Sequence, residues 1–240
     1  MAELEVYGEV PESAMVIVAH PDDAEFMVAG TMARWTRAGT RAVIVIVTNG
    51  NKGSSDPAIS LATLARTRRG EQQDAARILG VDEVEFLDYE DGMVEPTLAL
   101  RRDLTRVIRK HKPQLVVLQD PTRYFGGKGY LNHPDHRAVP EAALGAIYPA
   151  ARDRLTFPEL LAAGFGTHNV KQVFLGWPVE PDTIVDISET IGTKVEALLA
   201  HASQMGDWHP GEMVETNARD AAKDLPFSHG ETFRSFTLDE

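Results

Sequence analysis

The sequence predicts an α/β fold with a mostly parallel sheet, and three observations predict it. Short apolar, β-branched runs alternate with segments of helical spacing from residue 14 to residue 118. Two of the helical segments stop on glycine, Gly39 and Gly80. Two polar clusters, His20-Pro21-Asp22-Asp23 and His133-Pro134-Asp135-His136, each follow an apolar run that reads as a strand. Ligands of doubly wound sheets collect beyond such strand ends.

Residues 14–19 are a short apolar run and form the first expected strand. Residues 24–38 then carry Met27, Thr31, Trp35 and Ala38 at helical spacing, with Trp35 expected in the core. Residues 41–47 are a second, β-branched strand, followed by a Gly/Asn/Ser loop at 48–60. Residues 61–79 read as a helix and 83–87 as a third strand. Residues 97–111 place Leu100, Leu104, Val107 and Ile108 on one helical face, and 114–118 are a fourth strand. Such alternation implies crossover connections and a parallel sheet. With a strand order of 3-2-1-4-5, strands 1 and 4 are neighbours at the switch point, and both clusters fall there.

The remainder is less regular. Residues 120–131 form a loop carrying Gly126, Gly127 and Gly129, and 136–147 look helical. Residues 152–170 give no clear element. Residues 173–175 and 183–187 are expected strands, and Ser188 an expected N-cap for a helix to about residue 203. No repeat or linker breaks the chain, so one domain over residues 1–240 is expected.

Composition narrows the function. A formal net charge of −12 argues against general nucleic-acid binding, which needs surplus Lys and Arg. With no cysteine, any metal must be held by His and carboxylate groups. The acidic residues 1–12 lack the pattern of a signal peptide, and the longest apolar run, 42–47, is too short to span a bilayer. A cytoplasmic protein without membrane insertion is expected. A homo-oligomer is open, since the sequence does not set the assembly.

The two clusters carry the chemistry. Catalytic zinc takes three protein ligands and leaves a position for water, whose pKa then falls to about 7. His20, Asp23 and His136 supply a two-histidine, one-carboxylate set, which also accepts Fe²⁺, Co²⁺ or Mn²⁺. Asp22 is then the candidate general base. His133 is the candidate that stabilises an oxyanion or protonates a leaving amine. Asp135 is a candidate to orient a histidine from behind. Taken singly, a His-Pro or Asp-Asp pair is more often a turn or cap; the joint pattern points to a metal site.

At these residues the chain resembles the LmbE-like, PIG-L-type zinc deacetylases of N-acetylglucosaminyl compounds. The resemblance lies in Ala19-His20-Pro21-Asp22-Asp23-Ala24-Glu25-Phe26, Gly30-Thr31, Thr48-Asn49-Gly50 and Asn132-His133-Pro134-Asp135-His136-Arg137. Arg68-Arg69-Gly70-Glu71, Leu79-Gly80-Val81 and Asp91-Gly92 add to it. It implies a Rossmann-like three-layer fold, with the metal site at the C-terminal ends of strands 1 and 4. It also implies hydrolysis of an acetamide to amine and acetate on a small N-acylated, sugar-like substrate. His20, Asp23 and His136 match the family's zinc ligands, Asp22 its base and His133 its electrostatic or acid catalyst. Arg68 and Asp91 match positions that contact sugar hydroxyls. Some relatives place a tyrosine two residues before the second cluster; here that position is Leu131, with Tyr130 preceding it.

Other readings compete. An amidase for larger acyl or thiol-conjugated groups would use the same residues. A non-catalytic metal-dependent binding module needs the ligands but neither Asp22 nor His133. Gly126-Gly127-Lys128-Gly129 lacks the spacing of a phosphate loop. His209 and His229 are left unassigned.

Overall fold

The computed structural model describes residues 4–126, 129–206 and 208–239. Strands β1 (Glu5–Val6), β2 (Ser13–Val18), β3 (Arg41–Thr48), β4 (Glu83–Tyr89) and β5 (Leu115–Gln119) come first. A small antiparallel pair follows, β6 (Phe125–Gly126) and β7 (Tyr130–Leu131). Strands β8 (Gln172–Gly176), β9 (Thr183–Asp186) and β10 (Gly230–Thr237) complete the set. The main sheet has eight strands in the order β1-β9-β10-β8-β5-β2-β3-β4. Within it, β4-β3-β2-β5-β8 are all parallel and take the 3-2-1-4-5 order assumed above.

Its central strands β2, β3 and β5 are buried on both faces, which is why they read as continuous apolar runs. Met15, Ile17 and Ala19 of the first run face one layer, with Val43, Val45, Val116 and Leu118 beside them. Helix α3 (Leu98–His111) covers that face with Leu100, Leu104, Val107 and Ile108, and α4 (Asp135–Gly145) with Val139, Ala142 and Ala143. Ala14, Val16 and Val18 face the other layer, against Met27, Val28, Met32 and Trp35 of α1 (Asp23–Arg37). Trp35 is fully buried, as expected. Helix α2 (Leu61–Ile78) starts at Ser60, whose hydroxyl accepts from Thr63 N; Thr97 caps α3 the same way through Leu100 N.

The last third departs from expectation in two places. Strand β10 runs antiparallel between β8 and β9, and β1 adds to the far edge beside β9. A two-residue exposed edge strand carries no periodicity to read. The helix expected from Ser188 begins later, as α6 (Ile191–Leu199), with Thr190 at its cap. The Ser188 hydroxyl instead accepts from Ser228 N and His229 N. Short helices α5 (Pro158–Ala162) and α7 (Ala202–Met205) and the longer α8 (Gly211–Ala221) complete the chain. Among the described residues no helix is long and apolar enough to cross a membrane.

Candidate metal centre and active site

Both clusters lie beyond the carboxyl ends of adjacent parallel strands. His20 follows β2, and the backbone then turns at Asp22 so that Asp23 opens α1. A carboxylate there is favoured by the helix N-terminus. The second cluster ends the loop after β5, with Asp135 and His136 opening α4. The loop after β4 adds Asp91.

The three expected ligands converge. His20 Nδ1 lies 3.1 Å from His136 Nε2 and 3.4 Å from Asp23 Oδ2, and His136 Nε2 lies 3.1 Å from Asp23 Oδ1. Donors about 2.0–2.1 Å from a tetrahedral ion stand roughly 3.3–3.4 Å apart, close to this triangle. The opposite nitrogen of each imidazole is engaged from outside. His20 Nε2 meets Asp91 Oδ1 at 3.1 Å and Asp135 Oδ2 at 3.2 Å, and His136 Nδ1 meets Asn132 Oδ1 at 3.1 Å. A proton assigned to each outer nitrogen leaves two lone pairs and a carboxylate aimed at one point, an arrangement that fits a divalent cation. Burial works against the charge on Asp23, but His136 and His20 outweigh it and hold its carboxyl well below the usual range.

Asp135 is fully buried; its oxygens accept from Gly92 N at 2.8 Å and Val94 N at 3.2 Å. His20, Asp91, His133 and Asp135 also come within ligating distance of one another. There, however, Asp135 is occupied by two amides and Asp91 Oδ2 by Lys52 N at 3.0 Å. Asp91 is itself held down to about 2: burial raises it, and His20, the Lys52 N–H and Arg68 together outweigh burial.

Asp22 adopts φ 89°, ψ −25°, left-handed backbone unusual for a non-glycine residue. Its carboxylate accepts from Arg68 Nη2 at 3.2 Å. Burial raises it to about 6, with Arg68 opposing the rise and Asp23 adding to it. Arg68 is buried and turned onto the protein, where it also donates to Pro21 O and Gly50 O. Gly50, at φ +61°, permits this: a Cβ there would stand 2.9 Å from both Arg68 Nη1 and Pro21 Cδ. Arg68 and Asp91, matched by resemblance to sugar contacts, thus both have polar atoms bonded to site residues or the adjoining loop.

His133 sits edge-on to His20, with ring centroids 4.8 Å apart. Its Nδ1 accepts from Asp135 N at 3.2 Å, which assigns the proton to Nε2. Burial, then the charge on His20, lower its pKa. Its side chain is 39% exposed and open to a substrate. The ring of Trp177 lies 6.1 Å from that of His136. Tyr130 lies in β7 and is exposed, as is His209; His229 bonds Ser228 and lies outside the cluster. Gly127 and Lys128 of the glycine-rich loop lie outside the described residues.

Sequence reading missed the support behind Asp22. Gln72 Oε1 accepts from Asp22 N at 3.1 Å, Gln72 Nε2 donates to Glu25 Oε1 at 2.8 Å, and Glu25 Oε2 faces His201 Nε2 at 3.1 Å. Glu25 lies within the first motif, so its acidity was visible. Nothing local marks Gln72 or His201.

Known proteins similar to this chain point to one family. The family model described as GlcNAc-PI de-N-acetylase (PIG-L) matches residues 15–147. The diacetylchitobiose deacetylase of Thermococcus kodakarensis is 30% identical over 204 residues, covering 83% of this chain and 74% of that protein. A probable N-acetyl-alpha-D-glucosaminyl L-malate deacetylase 2 of Bacillus anthracis is 28% identical over 195 residues, covering 79% and 80%. The solved structure of N,N'-diacetylchitobiose deacetylase from Pyrococcus horikoshii superposes with a TM-score of 0.87 at 28% identity, covering 95% of this chain and 84% of that one. With its two histidine–aspartate clusters on adjacent strand ends and more than half its length matched, the chain belongs to the PIG-L family.

Proposed function

We propose that the chain, as one domain over residues 1–240, is a zinc-dependent hydrolase that removes the acetyl group from an N-acetylglucosaminyl-type sugar. The observation that carries this is the triangle of His20, Asp23 and His136 with Asp22 beside it. The deacetylase names of the relatives supply the substrate class. His20, Asp23 and His136 hold the metal, which when bound polarises the acetamide carbonyl and acidifies water.

The protein's own groups do the rest. Asp22 takes the proton of the attacking water on a carboxylate oxygen, and its raised pKa suits a base that must later release that proton. His133 Nε2–H donates to the oxyanion that forms as the carbonyl carbon becomes tetrahedral. The C–N bond then breaks, and the proton held by Asp22 passes to the departing nitrogen. Amine and acetate result. Asp91 and Asp135 fix the His20 ring from its Nε2 side. Arg68 steadies the Asp22 carboxylate.

The test is release of primary amine and acetate from a panel of N-acetylated sugars, N,N'-diacetylchitobiose and N-acetylglucosamine first, by zinc-loaded protein. Turnover that needs both the metal and Asp22 is expected. Zinc-loaded protein that turns over no acetamide in the panel, or that releases acetate equally well as Asp22→Asn, would contradict the proposal.

A further inference from the structure

Three buried polar side chains stand behind Asp22 without touching the ligand triangle: Gln72 on α2, Glu25 on α1 and His201 just before α7. Each is 0% exposed. Burying a carboxylate and an imidazole inside a helical layer carries a desolvation cost that an apolar set of the same volume would not. They form one line. His201 Nε2 stands 3.1 Å from Glu25 Oε2, Glu25 Oε1 accepts from Gln72 Nε2, and Gln72 Oε1 accepts the Asp22 backbone N–H. The line ends on the residue whose backbone is left-handed. A non-glycine residue persists in such a conformation only where its surroundings fix it, and such outliers gather at functional sites.

The far end of the line is fastened too. Ser203, two residues beyond His201, donates from both N and Oγ to the Glu71 carboxylate, at 2.7 Å each. The start of α7 is thereby tied to the α2 turn that carries Gln72. The last third of the chain, beyond the residues matched by the family model, thus reaches the back of the first motif.

We infer that Gln72, Glu25 and His201 are positioning residues that hold Asp22 in its left-handed turn and so aim its carboxylate at the attacking water, an inference that rests on Asp22 as the proton acceptor. Removing the Gln72 acceptor frees the Asp22 N–H and lets the turn relax. The metal triangle, fixed by other contacts, stays. A misaimed base lowers the chemical step without weakening substrate or metal binding.

The test uses the zinc-loaded full chain. Gln72→Leu is expected to lower kcat roughly 10- to 100-fold, with KM and metal content unchanged. Glu25→Gln can still accept from Gln72 and donate to His201, and is expected to keep kcat within about threefold, whereas Glu25→Leu falls with Gln72→Leu. In the wild type, hydrogen exchange at the Asp22 amide is expected to be slow. Should Gln72→Leu fail to fold, that exchange rate still decides: an Asp22 amide exchanging like a free surface amide overturns the inference. Asp22→Asn separates the two levels. Full turnover there removes the proton acceptor and the inference with it. An inactive Asp22→Asn beside a fully active Gln72→Leu overturns the inference alone.

Discussion

The two ends of the parallel strands, the carboxyl edge and the amino edge, both bring histidine and carboxylate atoms within 4.8 Å of one another, and they are neutralised differently. At the carboxyl edge, Asp23 faces two imidazoles whose outer nitrogens are engaged by Asp91, Asp135 and Asn132. At the amino edge, Glu85 meets Arg106 at 2.8 Å and both Lys110 and His111 at 2.9 Å, and Lys110 also meets Glu83. The second group carries its own cations. The first presents lone pairs and a carboxylate to a cation from outside. The residue types are nearly the same; what separates a metal site from a salt-bridge cluster is which side chains complete the charge.

Deleting a ligand should break the comparison most sharply. His136→Ala is expected to lose bound zinc and with it turnover, beyond the ~10–100-fold in affinity that an outer partner costs. Metal analysis after gel filtration reads the loss, and wild-type metal content would remove His136 from the ligand set. Asp22→Asn comes next. Asparagine tolerates the left-handed backbone, so the fold and the metal should be kept while kcat falls by about 10²–10⁴. Asp135→Asn puts an amide where His20 Nε2 and two backbone N–H groups need acceptors, and is expected to weaken zinc about 10–100-fold. A zinc titration unchanged from wild type would show that His20 needs no such support.

The smallest effect belongs to the amino edge. Burial opposes the charge on Glu85, but His111, Lys110 and Arg106 outweigh it and lower its pKa from 4.5 to about 2. A carboxyl depressed on folding adds stability above its unfolded pKa and loses it as pH falls through the folded value. Glu85→Gln should therefore turn over normally and bind zinc normally. It should lack about 1–2 kcal/mol of the acid-side stability change between roughly pH 5 and 2, discounted because Lys110 and Arg106 are partly exposed. Denaturant melts across that window check it; identical acid profiles for variant and wild type would contradict it.

The same contrast explains what was legible in the sequence. Four of the five parallel strands, β2, β3, β5 and β8, could be read because they are apolar runs buried along nearly their whole length. Strand β4 is only partly buried and carries Glu83, Glu85 and Asp88, and the strand order is an assumption drawn from doubly wound sheets that the fold matches. The ligand triangle could be read because its donors sit within two four-residue clusters on neighbouring strand ends. Of β10 only a possible last strand near residues 229–231 could be read, since its antiparallel insertion between β8 and β9 leaves no local pattern, and the two-residue edge strand β1 could not be read at all. Gln72 looks like one polar residue among many on α2; its partner Glu25 lies 47 residues away. His201 follows Leu198-Leu199-Ala200 with no charged neighbour in sequence to mark it, although its partner belongs to the first motif. Local clusters survive in a string of letters, and pairings made by the fold do not.

The most direct measurement is a zinc titration of chelator-stripped protein by calorimetry, with acetate release from N,N'-diacetylchitobiose followed on the same samples. One ion per chain is expected for the wild type and for Glu85→Gln, with turnover rising in step with occupancy, and none is expected for His136→Ala. Wild-type zinc binding by His136→Ala, or full acetate release from the stripped protein, would contradict a metal-dependent hydrolase built on His20, Asp23 and His136.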